Sequence, residues 1–282
     1  MNGGNESDII IAKSILSLDH DCSTGRIYWF TYAKKEIWSA KYDGTDQTVF
    51  AGRVSRSYGL AVDWISRRLY WSNYKKGTIN VASLDNPDQR TVLISHLNNP
   101  RSIAVDPYRG KLYWKATDAI GVYEQRANQT IEWSNLDGTE RQILIGRPLI
   151  YSPTDIKVSM ATGELCYIDL KIKCIEPNSK QIRTIASHIA GSLALAVTDD
   201  MVYWTSSRFL VYNKIERMDA NGARQKPISI QGDDLRTITA VTSNCTGLSN
   251  ACSTDNGGCP ENTICLINPY IESGRSCTQL KT

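Results

Sequence analysis

The stretch Gly59-Leu-Ala-Val-Asp-Trp-Ile-Ser-Arg-Arg-Leu-Tyr-Trp71 sets a short aliphatic strand ending in aspartate a few residues ahead of a Tyr-Trp pair that follows an aliphatic residue. The arrangement recurs. Pairs stand at Tyr28-Trp29, Tyr70-Trp71, Tyr113-Trp114 and Tyr203-Trp204, with a weakened copy at Tyr167-Ile168, at spacings of 42, 43, 54 and 36 residues. Ahead of them lie Leu16-Ser-Leu-Asp19, Leu60-Ala-Val-Asp63, Ile103-Ala-Val-Asp106, Ile156-Lys-Val-Ser159 and Leu195-Ala-Val-Thr198. After most pairs comes a third short strand, then a turn of the Asp-Gly kind at Asp43-Gly44, Asp137-Gly138 and Asn221-Gly222, with Asp85-Asn86-Pro87 in the same place. A fourth apolar run follows, as in Thr91-Val-Leu-Ile94. Four short strands per unit of roughly 40 to 45 residues is the pattern of a β-propeller blade. A helical reading fails, because the runs are short, β-branched and bounded by turn residues. One blade cannot bury both its faces, so blades must stack around an axis, with the tyrosines and tryptophans of the second strands in the seams.

The 282 residues, 41% hydrophobic and 22% charged, can bury a sizeable core, and no apolar run approaches the ~18 residues needed to cross a bilayer. Fourteen Tyr and 7 Trp against 3 Phe mean that most large rings carry a polar tip. A net charge of +3 is too small to imply a nucleic-acid binder. Residues 1–18 lack a basic region and Lys13 follows Ile9-Ile10-Ile11 closely, which makes a poor signal peptide; a secreted protein is therefore expected to have its leader elsewhere.

The Tyr-Trp repeat at this period, with Gly59–Trp71, Pro100-Arg-Ser-Ile-Ala-Val-Asp-Pro107 and Leu136-Asp-Gly-Thr-Glu-Arg141, resembles the YWTD propellers of the low-density-lipoprotein receptor and its relatives over roughly residues 15 to 242. The resemblance implies an all-β fold: a six-bladed YWTD propeller at 15–244, a truncated EGF-like module at 245–282 and a leader at 1–14. After Tyr-Trp the chain reads Phe-Thr, Ser-Asn, Lys-Ala and Thr-Ser, so only Asp169 keeps the carboxylate to which the family's blade-locking hydrogen bonds are attributed, with Asn73 a partial mimic. In that family the sixth blade takes its inner strand from the C-terminal segment, here Thr237-Ile-Thr-Ala-Val241, and its outer three from the N-terminal segment. Three strands with their turns need about 20 to 30 residues. Only about 14 precede the first blade, so the chain is expected to lack most of its sixth blade, leaving an open ring with exposed edges. A closed five-bladed ring is the alternative.

Asn250-Ala-Cys252, Asn256-Gly-Gly-Cys259, Ile264-Cys265 and Cys277 resemble the first four cysteines of the EGF-like module that follows such propellers, which implies the pairs Cys252–Cys265 and Cys259–Cys277. The last two cysteines of that module are absent, so a unit that depends on disulfides worth ~2–4 kcal/mol each is expected to be loose. Cys166 and Cys174 flank a run that would form two adjacent strands, which suits a cross-strand disulfide, and Cys22 could pair with Cys245 where the ring closes. No CxxC or His-paired spacing favours zinc, and acidic ligands for calcium are missing ahead of Cys252; no metal or cofactor is expected. Disulfides imply an oxidising compartment, and the sequons at Asn5, Asn128 and Asn244 agree with an extracellular or cell-surface ectodomain whose membrane anchor lies outside this sequence.

In a propeller, the connections from fourth to first strands and from second to third strands share one face, where ligands usually bind. The first set offers Arg56, Tyr58, Arg101, Tyr151 and Arg236; the second offers Tyr32, Lys34, Lys35, Tyr74, Lys75, Lys76 and Arg208. They outnumber Glu36, Asp118, Asp233 and Asp234, so the expected partner is an acidic protein module held by Lys and Arg and packed on Tyr. The plainer reading is that any long loop set carries solvated cations; only the cluster has weight. His96 and His188 fall in the same connections, His20 on the opposite side, and the first two are candidate pH sensors. No HExxH, GxSxG or phosphate loop is present, and Asp19, Asp63 and Asp106 sit at equivalent blade positions, which argues for structural hydrogen bonds and against an enzyme. The expected function is a ligand-binding, pH-responsive module of an endocytic lipoprotein-receptor relative; a Wnt co-receptor propeller and a nidogen-like laminin linker are the alternatives.

Overall fold

The computed structural model describes residues 14–117, 128–189, 191–208, 212–230, 235–241, 245 and 248–280. Blade 1 comprises β1 (Ile15–Asp21), β2 (Arg26–Thr31), β3 (Glu36–Lys41) and β4 (Thr48–Ala51). Blade 2 comprises β5 (Leu60–Asp63), β6 (Arg68–Asn73), β7 (Thr78–Ser83) and β8 (Arg90–Ile94). Blade 3 holds β9 (Ile103–Asp106), β10 (Lys111–Thr117), β11 (Gln129–Asn135) and β12 (Gln142–Gly146). Blade 4 holds β13 (Ile156–Val158), β14 (Leu165–Asp169), β15 (Lys171–Ile175) and β16 (Ile182–Ala186). Blade 5 holds β17 (Leu195–Val197), β18 (Met201–Arg208), β19 (Tyr212–Asp219) and β20 (Arg224–Ile230). Each is a four-stranded antiparallel meander, and the inner strands β1, β5, β9, β13 and β17 stand side by side around an axis. The fold is an all-β propeller.

The Tyr-Trp pair acts as a two-way seam. Tyr70 packs with Leu112, Trp114 and Leu136 of blade 3 and donates its hydroxyl to the Leu136 carbonyl (3.2 Å), while Trp71 packs back against Phe30, Ile37 and Phe50 of blade 1. Neighbouring strand positions point to opposite faces, so two adjacent rings serve two seams. Gly59 precedes β5 because a Cβ there would meet the Arg101 carbonyl oxygen at 2.3 Å.

Two alignments of the sequence reading shift by register. Ile156 pairs with Tyr167 as Leu60 pairs with Trp71, so the blade 4 copy of the motif begins at Cys166, one residue earlier than expected, and Tyr167 takes the tryptophan's place against blade 3. Asp169 then falls on the motif's last position, where its carboxylate accepts the Tyr151 and Ser152 N–H groups at 3.1 and 2.9 Å. Leu18 pairs with Trp29, which makes Asp21, not Asp19, the counterpart of Asp63 and Asp106. All three cap the turn after the inner strand: Asp21 accepts from Ser23, Asp63 from Ile65 and Ser66, Asp106 from Tyr108 and Arg109.

Five four-stranded blades form among the described residues, so the expected sixth blade is not seen as a sheet. Residues 1–14 were expected to be too few to supply its outer strands, and nearly all of them lie outside the described set. Residues 235–241 lie between β17 and β1 without joining a ladder: Ile238 packs with Ala194 and Ala196, and the Thr239 hydroxyl reaches Asp19 Oδ1 (3.2 Å) and His20 Nδ1 (3.0 Å). Beside it, Cys22 is bonded to Cys245 across 223 residues of chain.

Asp19, which occupies the place of Ala61 and Ala104, lines a central cavity of about 80 Å³ together with Lys157 and Thr239. Burial works against its charge, but Lys157, the neighbouring His20 ring at 3.6 Å and the Val62 N–H outweigh it and hold the carboxyl down to about 2. A folded-state value below the unfolded 3.8 means stability present above pH ~4 and lost as pH falls towards 2. Asp19→Asn is therefore expected to remove about 2 kcal/mol of acid-labile stability, read as a flatter dependence of the urea midpoint between about pH 4 and 2.

The C-terminal module consists of a hairpin, β21 (Thr263–Ile267) and β22 (Arg275–Gln279), with Cys252 bonded to Cys265 and Cys259 to Cys277. The expectation of a loose module does not hold. Ile264, Cys265, Leu266 and Ile267 join one core with Ile79, Val81, Leu112 and Trp114 of blades 2 and 3. Arg68, 2% exposed, donates Nε to the Cys265 carbonyl and Nη2 to Asn256 Oδ1, both at 2.9 Å. Gly110, at φ +63°, lets Pro269 approach to where a Cβ would stand 2.8 Å from its Cδ. The apolar surface of blades 2 and 3 supplies the burial that two disulfides alone would not.

Candidate functional site

Five of the residues expected on the loop face come together from three blades. Tyr32 sits in the turn after β2, Arg56 and Tyr58 in the connection from β4 to β5, Tyr74 in the turn after β6, and Arg101 in the connection from β8 to β9. Arg56 lies over the Tyr32 ring (4.6 Å to the centroid) and donates Nη2 to its hydroxyl at 2.8 Å. The same guanidinium is 5.7 Å from the Tyr58 ring. Arg101 lies over Tyr58 at 5.1 Å and over Tyr74 at 5.0 Å, and these two rings meet edge to face at 5.6 Å. The result is a ladder, Tyr32–Arg56–Tyr58–Arg101–Tyr74, in which each cation is oriented by aromatic faces.

The remaining candidates fall elsewhere. Lys34 stacks on Trp38 (4.4 Å), and Lys35 and Lys75 are exposed turn residues. Lys76 lines a separate cleft with Arg53 and Arg90. Tyr151, 53% exposed, has Arg147 at 5.9 Å from its ring, in the next connection round the axis. Arg236 is exposed just ahead of the closing segment, and Arg208 ends β18 opposite Tyr212. His96 and His188 are exposed, and His20 lies beside the central cavity. Asn128 is exposed at the start of β11; Asn5, Asn244, Asp118, Asp233 and Asp234 lie outside the described residues.

Sequence reasoning missed the apolar part of this face. Leu149 (53% exposed), Leu170 (78%) and Leu193 (46%) project from the loops of blades 4 and 5, and their only sequence signal was an apolar residue inside a turn segment. Cys166 is bonded to Cys174, directly opposite it on β15, where other blades carry the motif tyrosine.

Residues 67–107 match the family described as low-density lipoprotein receptor repeat class B. That stretch is a YWTD repeat of this family, running from β6 of blade 2 to β9 of blade 3 in an all-β propeller. The chain is 41% identical over 284 aligned positions to nidogen of Drosophila melanogaster, which spans 98% of this chain and 20% of the relative. Human low-density lipoprotein receptor-related protein 5 is 30% identical over 266 positions, 90% of this chain and 16% of that one. The chain thus spans a fifth or less of the length of these relatives. Among solved structures, the crystal structure of a nidogen/laminin complex superposes with a TM-score of 0.72 at 26% identity, covering 82% of this chain and 86% of that one. A gluconolactonase from Xanthomonas campestris shares the fold alone, with a TM-score of 0.63 at 16% identity.

Proposed function

We propose that this YWTD propeller is an extracellular, non-enzymatic binding module whose loop face holds an acidic segment of a matrix protein of the laminin kind. The observation that carries the reading is the Arg56–Arg101 ladder: two guanidiniums from different connections, each stacked on tyrosine, present positive charge beside amphipathic rings, the composition of an interface anchor. Support comes from the identity with nidogen over nearly the whole chain and from a structural neighbour solved with laminin. Four disulfides and the exposed Asn128 sequon suit the oxidising compartment this needs. The segment at 235–241 is read as the inner strand of a sixth ring position.

Immobilised laminin is expected to bind the protein, and Arg56→Ala/Arg101→Ala to weaken that binding by ~30-fold or more, by surface plasmon resonance. Undiminished binding of the variant would overturn the assignment. The receptor readings draw on the same face, with the identity to receptor-related protein 5 behind them and His96 and His188 as acid sensors. An immobilised acidic, calcium-loaded receptor repeat, probed at about pH 7.4 and about pH 5.5, tests the endocytic one. Tighter binding in acid that His96→Ala/His188→Ala abolishes would move the assignment there.

A further inference from the structure

We propose that the cleft between blades 1 and 2 is a second binding site, for a sulfated polysaccharide. Its volume is about 210 Å³, and Arg53, Lys76 and Arg90 stand around it with Asn73, Asn80 and Trp71. No carboxylate lines it. The register explains why it exists. Trp71 pairs with Asn80, Asn80 with Val92 and Ala82 with Arg90, so all these side chains leave the same face of blade 2, the one turned to blade 1. Blade 1 covers the inner part of that face, but β4 ends at Ala51 and the chain turns away at Gly52-Arg53, leaving the outer part open. The Lys76 N–H is held by Asn73 Oδ1 at 3.2 Å, which fixes the third cation's backbone at the rim.

The charges are uncompensated. Elsewhere among the described residues Arg26, Arg67, Arg109, Arg141 and Arg183 are each bound to a carboxylate, whereas Arg53, Lys76 and Arg90 are exposed and their side chains have no carboxylate partner there. Three like charges around one polar cleft raise the local potential and concentrate anions. Trp71 and Val54 are each only 5% exposed, so the half-buried Val92 is the one apolar side chain the lining offers and no aromatic anchor of the kind protein partners use stands in the cleft. A chain carrying a sulfate or carboxylate on each sugar, bound almost wholly through charge and amide hydrogen bonds, fits that lining. The cleft differs from the loop-face ladder, whose cations are stacked on tyrosine, and the proposal depends on the reading above only for the extracellular setting.

The probe is a heparin oligosaccharide, measured by surface plasmon resonance at two salt concentrations. Arg53→Ala/Arg90→Ala is expected to weaken binding by ~10-fold or more and to flatten its salt dependence, with the melting temperature unchanged because both side chains are exposed. Arg56→Ala/Arg101→Ala is expected to bind heparin within ~2-fold of the parent. An unchanged affinity in the first variant, or an equal loss in the second, would overturn the proposal, as would a poly-glutamate peptide that displaces heparin at equal charge. Laminin binding by Arg53→Ala/Arg90→Ala is read in parallel, so a failed loop-face assignment and a failed cleft give different patterns.

Discussion

Replacing Cys22 and Cys245 by serine is expected to cost about 5 kcal/mol of stability, the loop-entropy value for a link that closes 223 residues. The link joins the turn after β1 to the segment that follows residues 235–241, so its loss frees the chain's C-terminal passage in the unfolded state and releases a ring closure held otherwise by Thr239, Ile238 and their partners. For a domain of this size 1 kcal/mol moves the midpoint by roughly 2–4 °C, so the melting temperature should fall by on the order of 10 °C or more in calorimetry. Cys166→Ser/Cys174→Ser is the comparison, because that pair closes only 8 residues between strands already hydrogen-bonded to each other. An equal effect of the two replacements would show that ring closure does not depend on the long-range link.

Arg68→Met is expected to destabilise the protein by about 3 kcal/mol, and to do so at the junction of the propeller with the C-terminal module. Met preserves much of the stem's packing but leaves the Cys265 carbonyl and Asn256 Oδ1 without their charged donor in a buried seam. Hydrogen bonds to charged groups contribute ~1.5–3 kcal/mol each, and the loss is held near the lower end of their sum because Asn256 Oδ1 keeps the Cys265 N–H at 2.9 Å. The measurement is amide exchange across Thr263–Ile267 beside the global midpoint. If the module is held as the structure indicates, protection of β21 falls with global stability; unchanged protection would show that the apolar contacts of Ile264 and Leu266 hold it alone.

The repeat could be read without a structure because it is local. Each blade is built from neighbouring strands joined by short turns, so an aliphatic run, a Tyr-Trp pair and an Asp-Gly turn carry all the information that one blade needs. The same reading slipped where tertiary register overrode spelling. Tyr167-Ile168 looks like Tyr-Trp, but the pairing of Ile156 with Tyr167 moves the motif back onto Cys166. Asp19 looks like Asp63, but two residues of strand separate their roles: one caps no turn and meets Lys157 in the central cavity, the other caps a turn.

The loop face divides in the same way. That its connections carry arginine and tyrosine was visible in sequence; that Arg56 and Arg101 interleave with Tyr32, Tyr58 and Tyr74, while Lys76 turns to a different cleft, depends on distances between blades that no local pattern encodes. The docking of the C-terminal module is decided there too. Cysteine spacing bears on which sulfurs can meet, but the apolar faces of Ile264 and Leu266 have a place only because blades 2 and 3 leave a matching surface. By itself the sequence determined the blade, its repetition and the seam-filling role of its rings, since hydrophobic period and turn chemistry act over a few residues. Closure, the stacked ladder, the charged cleft and the docked module were decided by tertiary structure, since each requires groups far apart in the chain to share a few ångströms of space.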